Sequence, residues 1–306
     1  MDFGRLPDID KVDFTLPPDA WQTTAIFKEL KNKPSKNPEI HVGCAKWGRK
    51  DWIGQVYPAG TKEKDFFSIY AKNFDAIELN ATHYRIPTAK TVLDWKSKVD
   101  KNFKFSPKFV NTISHFQRLR NAHDSTRQFY DAILLLGENL GTTFLQLPPN
   151  FSPKSYHDLA NYLKDLPKEV KVCVELRHHS WFLDENVWNE TLEMLKENNI
   201  GTVITDAAGE REVDHMALTT DEAFIRFVGN SLHPTDYTRI DDWVTRLKSW
   251  LENGLKSLYF YMHQHEEQYS PVLCDYFIAE MNKRCGLILK RPHLLNEEKG
   301  LFGLYS

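Results

Sequence analysis

Short β-rich runs that alternate with helical patterns constrain the fold of this chain more than any other feature. Eight such runs occupy residues 40–45, 76–80, 103–106, 143–147, 170–176, 202–205, 224–228 and 258–262. Most of the intervals between them place apolar residues three and four positions apart, as amphipathic helices do, at 62–74, 89–99, 126–140, 154–166, 185–198 and 238–251. This alternation predicts a parallel sheet, and eight strands in a chain of this length predict a closed (β/α)8 barrel of the TIM type.

One interval differs from the others. The interval at residues 206–221 is short and carries no clear helical pattern, so we expect one degenerate crossover in the barrel. An open, doubly wound sheet is the alternative architecture. No GxGxxG or P-loop sequence follows any of the β-rich runs, which leaves a nucleotide-binding sheet of that kind without support.

The composition is that of an ordinary globular protein. The 306 residues include 39 Lys and Arg and 42 Asp and Glu, a net charge of −3, and 41% of them are hydrophobic. These values exclude a disordered chain and a globally basic nucleic-acid-binding protein, although not a local basic groove. No apolar run approaches the ~20 residues of a membrane helix, so we expect no membrane partner. The four cysteines form no CxxC pair and the N-terminus has no apolar core, which indicates a cytoplasmic protein with free thiols.

The chain is predicted to consist of one domain between two terminal segments. Residues 1–37 are read as an N-terminal extension with one helix at 21–30. Residues 38–290 form the barrel, because no linker divides them. Residues 291–306 form a tail, displayed to a partner or docked on the barrel. Docking, the favoured alternative, would bury its apolar side chains: Leu301, Phe302 and Leu304.

Polar residues follow one parity at the ends of the predicted strands. Side chains alternate across a strand, so residues two apart share a face. Ile77 and Leu79 take one face of their run, and Glu78 and Asn80 take the other. The same alternation sets polar side chains opposite apolar ones in most other runs: Lys104, Ser106, Lys108, Gln146, Glu175, Arg177, Arg226 and His263. Because the apolar face packs on the helices, the polar set should converge inside the C-terminal mouth, where barrels of this type build their sites.

We expect this mouth to bind a small anionic molecule. The cations expected at the mouth outnumber the carboxylates, and such a surplus suits a phosphate or a carboxylate ligand. The cations are Lys46, Lys104, Lys108, Arg177 and Arg226, and the carboxylates are Glu78, Glu175 and Asp206. Acid–base chemistry for hydrolysis, lysis or isomerisation is assigned to Glu78, Glu175, Asp206 and His263. The predicted ligand-binding residues, whose aromatic members could stack on a sugar or a base, are Lys46, Trp47, Asn80, Tyr84, Lys108, Gln146, Arg177, Trp181 and Arg226.

Two other functions fit the same residues. Divalent metals take ligands of the types present in Glu78, Glu175, Asp206 and His263 or His265, which would make the protein a metal-dependent phosphodiesterase or endonuclease acting on nucleic acid. No other cofactor is predicted. The remaining alternative is a structural network of ion pairs in a non-catalytic ligand-binding or scaffold protein. Nothing in the pattern indicates an oligomeric state.

Several motifs resemble domain-of-unknown-function family 72, also called YecE-like. They include Val42-Gly43-Cys44-Ala45-Lys46-Trp47, Glu78-Leu79-Asn80-Ala81-Thr82-His83-Tyr84, Gln146-Leu147-Pro148-Pro149-Asn150-Phe151 and Glu175-Leu176-Arg177-His178-His179-Ser180-Trp181. The resemblance covers about residues 40–282 and implies a (β/α)8 barrel. It implies no activity, because none is assigned to the family as a whole. Many members end the seventh strand with Leu-His-Gly, where Phe227-Val228-Gly229 stands here, and the eighth with Phe-Asn-Asn, where Tyr261-Met262-His263-Gln264-His265 stands here. Chemistry that depends on those positions is therefore not implied for this chain.

Overall fold

The computed structural model describes residues 4–30, 35 and 37–295, and its centre is a barrel of parallel strands. The eight strands are β1 Glu39–Cys44, β2 Ala76–Leu79, β3 Lys104–Pro107, β4 Thr143–Gln146, β5 Val172–Glu175, β6 Gly201–Asp206, β7 Glu222–Gly229 and β8 Ser257–Gln264. They run in the order β3-β2-β1-β8-β7-β6-β5-β4. Two parallel bridges, Phe105 with Leu140 and Lys108 with Phe144, join β3 to the β4 side. The predicted barrel is therefore confirmed, and the open doubly wound sheet is wrong.

Helices cover the outside of the barrel. They are α1 Trp21–Leu30, α2 Phe66–Asn73, α3 Ala81–Tyr84, α4 Ala89–Lys96, α5 His123–Ile133, α6 Tyr156–Lys164, α7 Ser180–Leu183, α8 Glu185–Glu197, α9 Pro234–Glu252 and α10 Ser270–Cys285. Local capping sets some of their ends. The Asp184 carboxylate accepts the backbone N–H groups of Asn186 and Val187 at the start of α8, and Gly286 adopts a left-handed conformation after α10. No helix in the described part of the chain is both long and apolar enough to cross a bilayer.

The interval between β6 and β7 has the predicted degenerate form. In this fully described stretch the only helical structure is a 3-10 segment, Ala208–Val213. The N-terminal helix α1, predicted at residues 21–30, packs beside this crossover. The Thr23 hydroxyl donates to the Met216 carbonyl and accepts the Leu218 N–H, at 2.8 and 2.7 Å.

Helix α1 also contacts the helices on both sides of the crossover. The Trp21 indole N–H donates to Asn189 of α8 at 2.9 Å. The ring of Phe27 lies 6.2 Å from that of Trp250 on α9, and Asp19, just before α1, pairs with Arg246 of α9 at 2.6 Å. The helix α1 thus occupies the space between α8 and α9 that a helix of the β6–β7 crossover would cover in a regular barrel.

The C-terminal segment is described only as far as residue 295. The His293 N–H donates to Asn73 at 2.8 Å, and the Leu295 N–H donates to the Gln55 carbonyl at 2.8 Å. The predicted docking of Leu301, Phe302 and Leu304, and the alternative of a displayed peptide, lie outside the described residues.

The apolar residues form two kinds of layer. The larger one lies between the strands and the helices and includes Ile77, Leu145 and Val174. The smaller one fills the inside of the barrel and consists of Ala76, Phe144, Cys173, Val203, Phe224, Tyr259 and Tyr261. Because side chains two apart share a face, the residue two positions after each of these also faces the inside, one layer nearer the C-terminal mouth.

Candidate functional site

A buried polar layer lies directly above the apolar interior of the barrel. Its side chains follow the interior residues Ala76, Phe144, Cys173, Phe224 and Tyr261 by two positions along their strands. All five members of this layer are at most 5% exposed: Glu78, Gln146, Glu175, Arg226 and His263. The alternation predicted for these strand ends thus brings the five side chains together.

Arg226 lies at the centre of this layer and binds two carboxylates. Its Nε and Nη2 donate to the two oxygens of Glu78, each at 2.9 Å. Its Nη1 donates to Glu175 at 2.9 Å. With 1% of its surface exposed and its donors directed at two carboxylates, Arg226 holds this layer together, and its predicted contact with a ligand stays a prediction.

Both carboxylates are held in the ionised form. Burial would raise the pKa of Glu78, but the charges of Arg226 and His263 outweigh it and hold the pKa well below the usual range. Burial likewise opposes ionisation of Glu175, yet Arg177, Arg226 and Lys108 together lower its pKa to about 2. Both carboxylates therefore carry their charge at neutral pH in this layer, and their predicted roles in proton transfer stay predictions.

Lys108 reaches into the same layer from the end of β3. The residue is 7% exposed, and its Nζ donates to Gln146 Oε1 at 2.5 Å. Gln146 links Lys108 to Glu175, because its Nε2 donates to Glu175 at 2.9 Å. In the part of the chain that the structure describes, no carboxylate forms an ion pair with Lys108. Burial and the nearby guanidinium groups of Arg226 and Arg177 lower the pKa of Lys108 to about 7, against the opposing effect of Glu175.

Two predicted ligand-binding residues lie at the rim of this layer. Arg177 is half-buried, and its Nε donates to Glu175 at 2.7 Å. Asn80 is also half-buried, and its Nδ2 donates to Glu78 at 2.8 Å. Each extends the buried layer by one polar group toward the mouth.

His263 connects Glu78 to a further carboxylate. Its Nε2 lies 2.9 Å from Glu78 Oε2, and its Nδ1 lies 3.8 Å from Glu267 Oε1. Burial disfavours the imidazolium, but the two carboxylates outweigh it and raise the pKa of His263. Sequence reasoning missed Glu267, and the signal that could have found it is its position four residues after His263, just beyond β8.

Asp206 does not belong to this cluster. In the register of β6 and β7, Thr205 is opposite Arg226, so Asp206 points to the other face, toward α9. There its carboxylate pairs with Arg239 at 2.8 Å and accepts the Trp243 indole N–H at 2.8 Å. The predicted convergence of Asp206 with Glu78 and Glu175 is therefore wrong, because the last residue of this strand has the helix-facing parity.

The lysines at two other predicted positions also lie apart from the buried layer. Lys104 is at the opposite end of β3, where its Nζ donates to the Glu138 carbonyl at 2.6 Å. Lys46 is exposed after β1. Neither adds to the charge that surrounds Lys108, so the cation surplus at the mouth is smaller than the sequence suggested.

The three predicted aromatic residues differ in exposure. Trp181 is fully buried and donates its indole N–H to the Phe151 carbonyl at 2.6 Å. Trp47 packs its ring 4.6 Å from that of Phe67. Trp181 thus anchors a loop and its ring is closed to a ligand at the mouth, whereas Trp47 is half-buried and its predicted stacking on a ligand stays a prediction. Tyr84, at the end of α3, is 76% exposed and presents its ring to solvent.

A histidine pair missed by the sequence analysis lies near Lys108. The rings of His83 and His115 are 5.0 Å apart, and His83 Nδ1 contacts the Phe109 carbonyl at 2.9 Å. Burial and the charge of Lys108 lower the pKa of His83 to about 4, and burial together with Lys108, Arg177 and Arg118 lowers that of His115. The pair comes together because a π-helical turn, Thr112–Phe116, brings His115 back toward the mouth, a contact without a periodic signature in the sequence.

The predicted metal ligands do not surround one point. Glu78 is occupied by Arg226, Asp206 faces α9, and His263 binds Glu78. Across the described residues, no group of three or more His, Cys, Asp or Glu side chains is arranged to hold a metal ion.

The chain is similar to proteins of one family. The family model described as "Protein of unknown function DUF72" matches residues 41–296. The UPF0759 protein YecE of Escherichia coli K12 is 26% identical over 262 residues, which cover 80% of this chain and 93% of that protein. The UPF0759 protein YunF of Bacillus subtilis 168 is 26% identical over 257 residues, 80% of this chain and 85% of that protein.

Solved structures share the fold. A DUF72 family protein from Enterococcus faecalis V583 has a TM-score of 0.62 at 17% identity, covering 83% of this chain and 100% of that one. Another from Thermotoga maritima MSB8 has a TM-score of 0.61 at 22% identity, covering 81% of this chain and 100% of that one. At such identities the likeness concerns the barrel itself.

Proposed function

This chain belongs to the DUF72 family of proteins of unknown function, so its function has to be inferred from the site. We propose that the mouth of the barrel binds a small anionic molecule, which bears a carboxylate or a phosphate and contacts Lys108. The observation that carries this proposal is the buried ammonium of Lys108, which has a neutral hydrogen-bond partner and no carboxylate partner among the described residues. A buried charge without a counter-charge is costly. An anionic ligand at the mouth supplies that counter-charge.

The charges around Lys108 support the same ligand class. Arg177 and Arg118 lie close enough, together with Lys108, to lower the pKa of His115. Glu78 and Glu175 do not neutralise this side of the layer fully, because both direct oxygens at Arg226. The potential at the mouth therefore favours a negatively charged group. The exposed ring of Tyr84 offers a surface for a flat or apolar part of the same molecule.

Lys108 is also the group best placed for proton transfer. Its pKa of about 7 lies near neutrality, whereas the pKa values of Glu78 and Glu175 lie far below neutrality. If the protein is an enzyme of the hydrolase, lyase or isomerase class, its acid–base group is then Lys108, and the carboxylates hold Arg226 in place.

Ligand-induced thermal stabilisation tests the binding proposal. Inorganic phosphate and a set of small carboxylates are added to the wild type, to Lys108→Gln and to Lys104→Gln, whose lysine lies at the opposite end of the same strand. A ligand at 100 times its Kd stabilises a protein by about 2.7 kcal/mol, which corresponds to a shift of several degrees. We expect that shift in the wild type and in Lys104→Gln and its loss in Lys108→Gln. Equal shifts in all three proteins, or none in any, would contradict the proposal.

A further inference from the structure

We propose that Lys108 is a nucleophile whose amine condenses with the carbonyl group of a small anionic aldehyde or ketone. This inference rests on the proposed function, because the carboxylate or phosphate brings the same molecule to the mouth. The ammonium form of Lys108 attracts the anion, and the free-amine form, also present at pH 7, is the one that condenses. It assigns the substrate class, a carbonyl compound with an anionic group, and a covalent step at a named atom.

The position of Lys108 Nζ is fixed by the barrel. The side chain leaves the end of β3 and crosses the inside of the barrel, where Nζ lies 6.0 Å from the centroid of the Phe144 ring. Its hydrogen bond to Gln146 Oε1, at 2.5 Å, connects it to Glu175, which Arg226 holds in turn. A nucleophile on a strand end with a supporting network beneath it is held more precisely than one on a loop.

The surroundings of Lys108 favour the free amine. It is the only lysine less than one-tenth exposed in the described ranges, and no carboxylate there forms an ion pair with it. Lysine amines become nucleophilic in this way, through desolvation and adjacent cations. The pKa of about 7 agrees with this geometry, since about half of the side chain is then the free amine at pH 7. For a lysine with the ordinary value of 10.5 the free fraction is roughly one in three thousand.

The step balances without an oxidant or a reductant. The free amine attacks the carbonyl carbon, a C–N bond forms, and the carbonyl oxygen takes up a proton to give a carbinolamine. In net terms that proton is one of the two hydrogens that the amine nitrogen loses. The hydroxyl group then leaves as water with the second hydrogen, and the product is an imine. When protonated, this nitrogen withdraws electrons through the C=N bond, which eases the breaking of a C–C or C–H bond at the carbon attached to the imine carbon. The Gln146 Oε1 that now accepts the ammonium N–H is placed to accept the N–H of the protonated imine.

Reductive trapping tests this inference. Pyridoxal 5′-phosphate and glyoxylate are two aldehydes with an anionic group and different sizes, and borohydride converts their imines into stable secondary amines. The wild type, Lys108→Arg and Lys104→Arg are incubated with one equivalent of each aldehyde at pH 7, reduced, digested and mapped by mass spectrometry. We expect the adduct at Lys108 in the wild type and in Lys104→Arg, at least 100-fold above that at any exposed lysine. We expect none at position 108 of Lys108→Arg.

The location of the adduct in the wild type decides the question even if Lys108→Arg does not fold. A label spread over exposed lysines, or no adduct at Lys108 with either aldehyde, overturns the inference. If phosphate or carboxylates still stabilise the wild type and not Lys108→Gln in that case, the site binds anions without condensing with carbonyls, and the proposed function survives. If they do not, both fail.

Discussion

Arg226 shows how a buried charge can be held in a barrel interior. Its guanidinium binds Glu78 and Glu175, each less than 2% exposed, so three charges share a volume from which water is excluded. The free energy needed to take two charges out of water offsets much of the attraction between them. Substituting one partner, however, leaves a buried charge with less compensation. The network therefore restricts what can be substituted at any one of its positions.

Arg226→Met tests that restriction. We expect a loss of about 3–5 kcal/mol in the free energy of unfolding, measured with guanidinium chloride, because two buried carboxylates lose the guanidinium that they share and keep only Arg177 and His263 as charged partners. Arg120→Met is the control, since Arg120 forms an exposed ion pair with Asp158, and we expect it to unfold like the wild type. If the two variants unfold at the same denaturant concentration, the buried network contributes nothing to stability.

Lys108 should make stability depend on pH in a defined direction. Its pKa is about 7 in the folded protein against 10.5 in the unfolded chain, so between these values the unfolded chain binds more protons and stability rises with pH. Below pH 7 the full cost of the buried ammonium applies. We therefore expect Lys108→Met to be more stable than the wild type at pH 6, by a few kcal/mol at about 1.4 kcal/mol per pKa unit, with a smaller difference at pH 9.5.

Urea unfolding at both pH values measures this difference, with Lys104→Met as the matched control from the same strand. A Lys108→Met variant less stable than the wild type at pH 6 would show that Gln146 and the carboxylates compensate the charge already. The same result would weaken the reasons for placing an anion beside Lys108.

At the scale of elements, helix α1, which precedes β1 in the chain, takes the place of the helix that the β6–β7 crossover lacks. Thr23 joins α1 to the β6–β7 crossover through two buried hydrogen bonds. Thr23→Val keeps the shape, leaves the Leu218 N–H without its partner, and leaves the Met216 carbonyl with the Ala20 N–H alone. We expect it to cost about 1–3 kcal/mol in the free energy of unfolding, measured by urea denaturation.

Thr24 provides a control for this variant. It is the next residue of α1, is exposed, and makes a single 3.4 Å contact to the Ala20 carbonyl. Thr24→Val should change the free energy of unfolding by less than about 0.5 kcal/mol. Equal effects of the two substitutions would mean that α1 is not held by the crossover.

The strands and most helices could be predicted because each carries its own periodic pattern. The polar parity at the ends of β2, β4, β5 and β7 could be predicted for the same reason, since alternation alone decides which face Glu78 or Arg226 takes. Asp206 was misplaced because it ends β6 with the opposite parity, and the chain there has no apolar alternation that marks the face. The burial of Trp181 could not be predicted, because a sequence does not say whether a ring after a strand packs inward or faces solvent.

At the scale of the whole molecule, the barrel follows from the count and spacing of strands, but the pairing of its charges does not. Which carboxylate Arg226 binds depends on the register of strands far apart in the chain: Glu78 is 148 residues away and Glu175 is 51. The absence of a partner for Lys108 among the described carboxylates follows from the same arrangement, because Arg226 and Arg177 bind Glu175 from other directions. The site that we propose is thus a property of the closed barrel and not of any one motif.

The place of α1 also sets an order of events during synthesis. The helix leaves the ribosome before any strand of the barrel, but it docks against α8, the β6–β7 crossover and α9, and Asp19 contacts Trp250, 231 residues later. Until α9 has emerged, the nascent chain carries the apolar side chains of Ile26 and Phe27 with no surface to cover them. Helix α1 is therefore synthesised before the barrel but is among the last elements to reach its site, and the growing chain must keep it from other apolar surfaces until α9 has emerged.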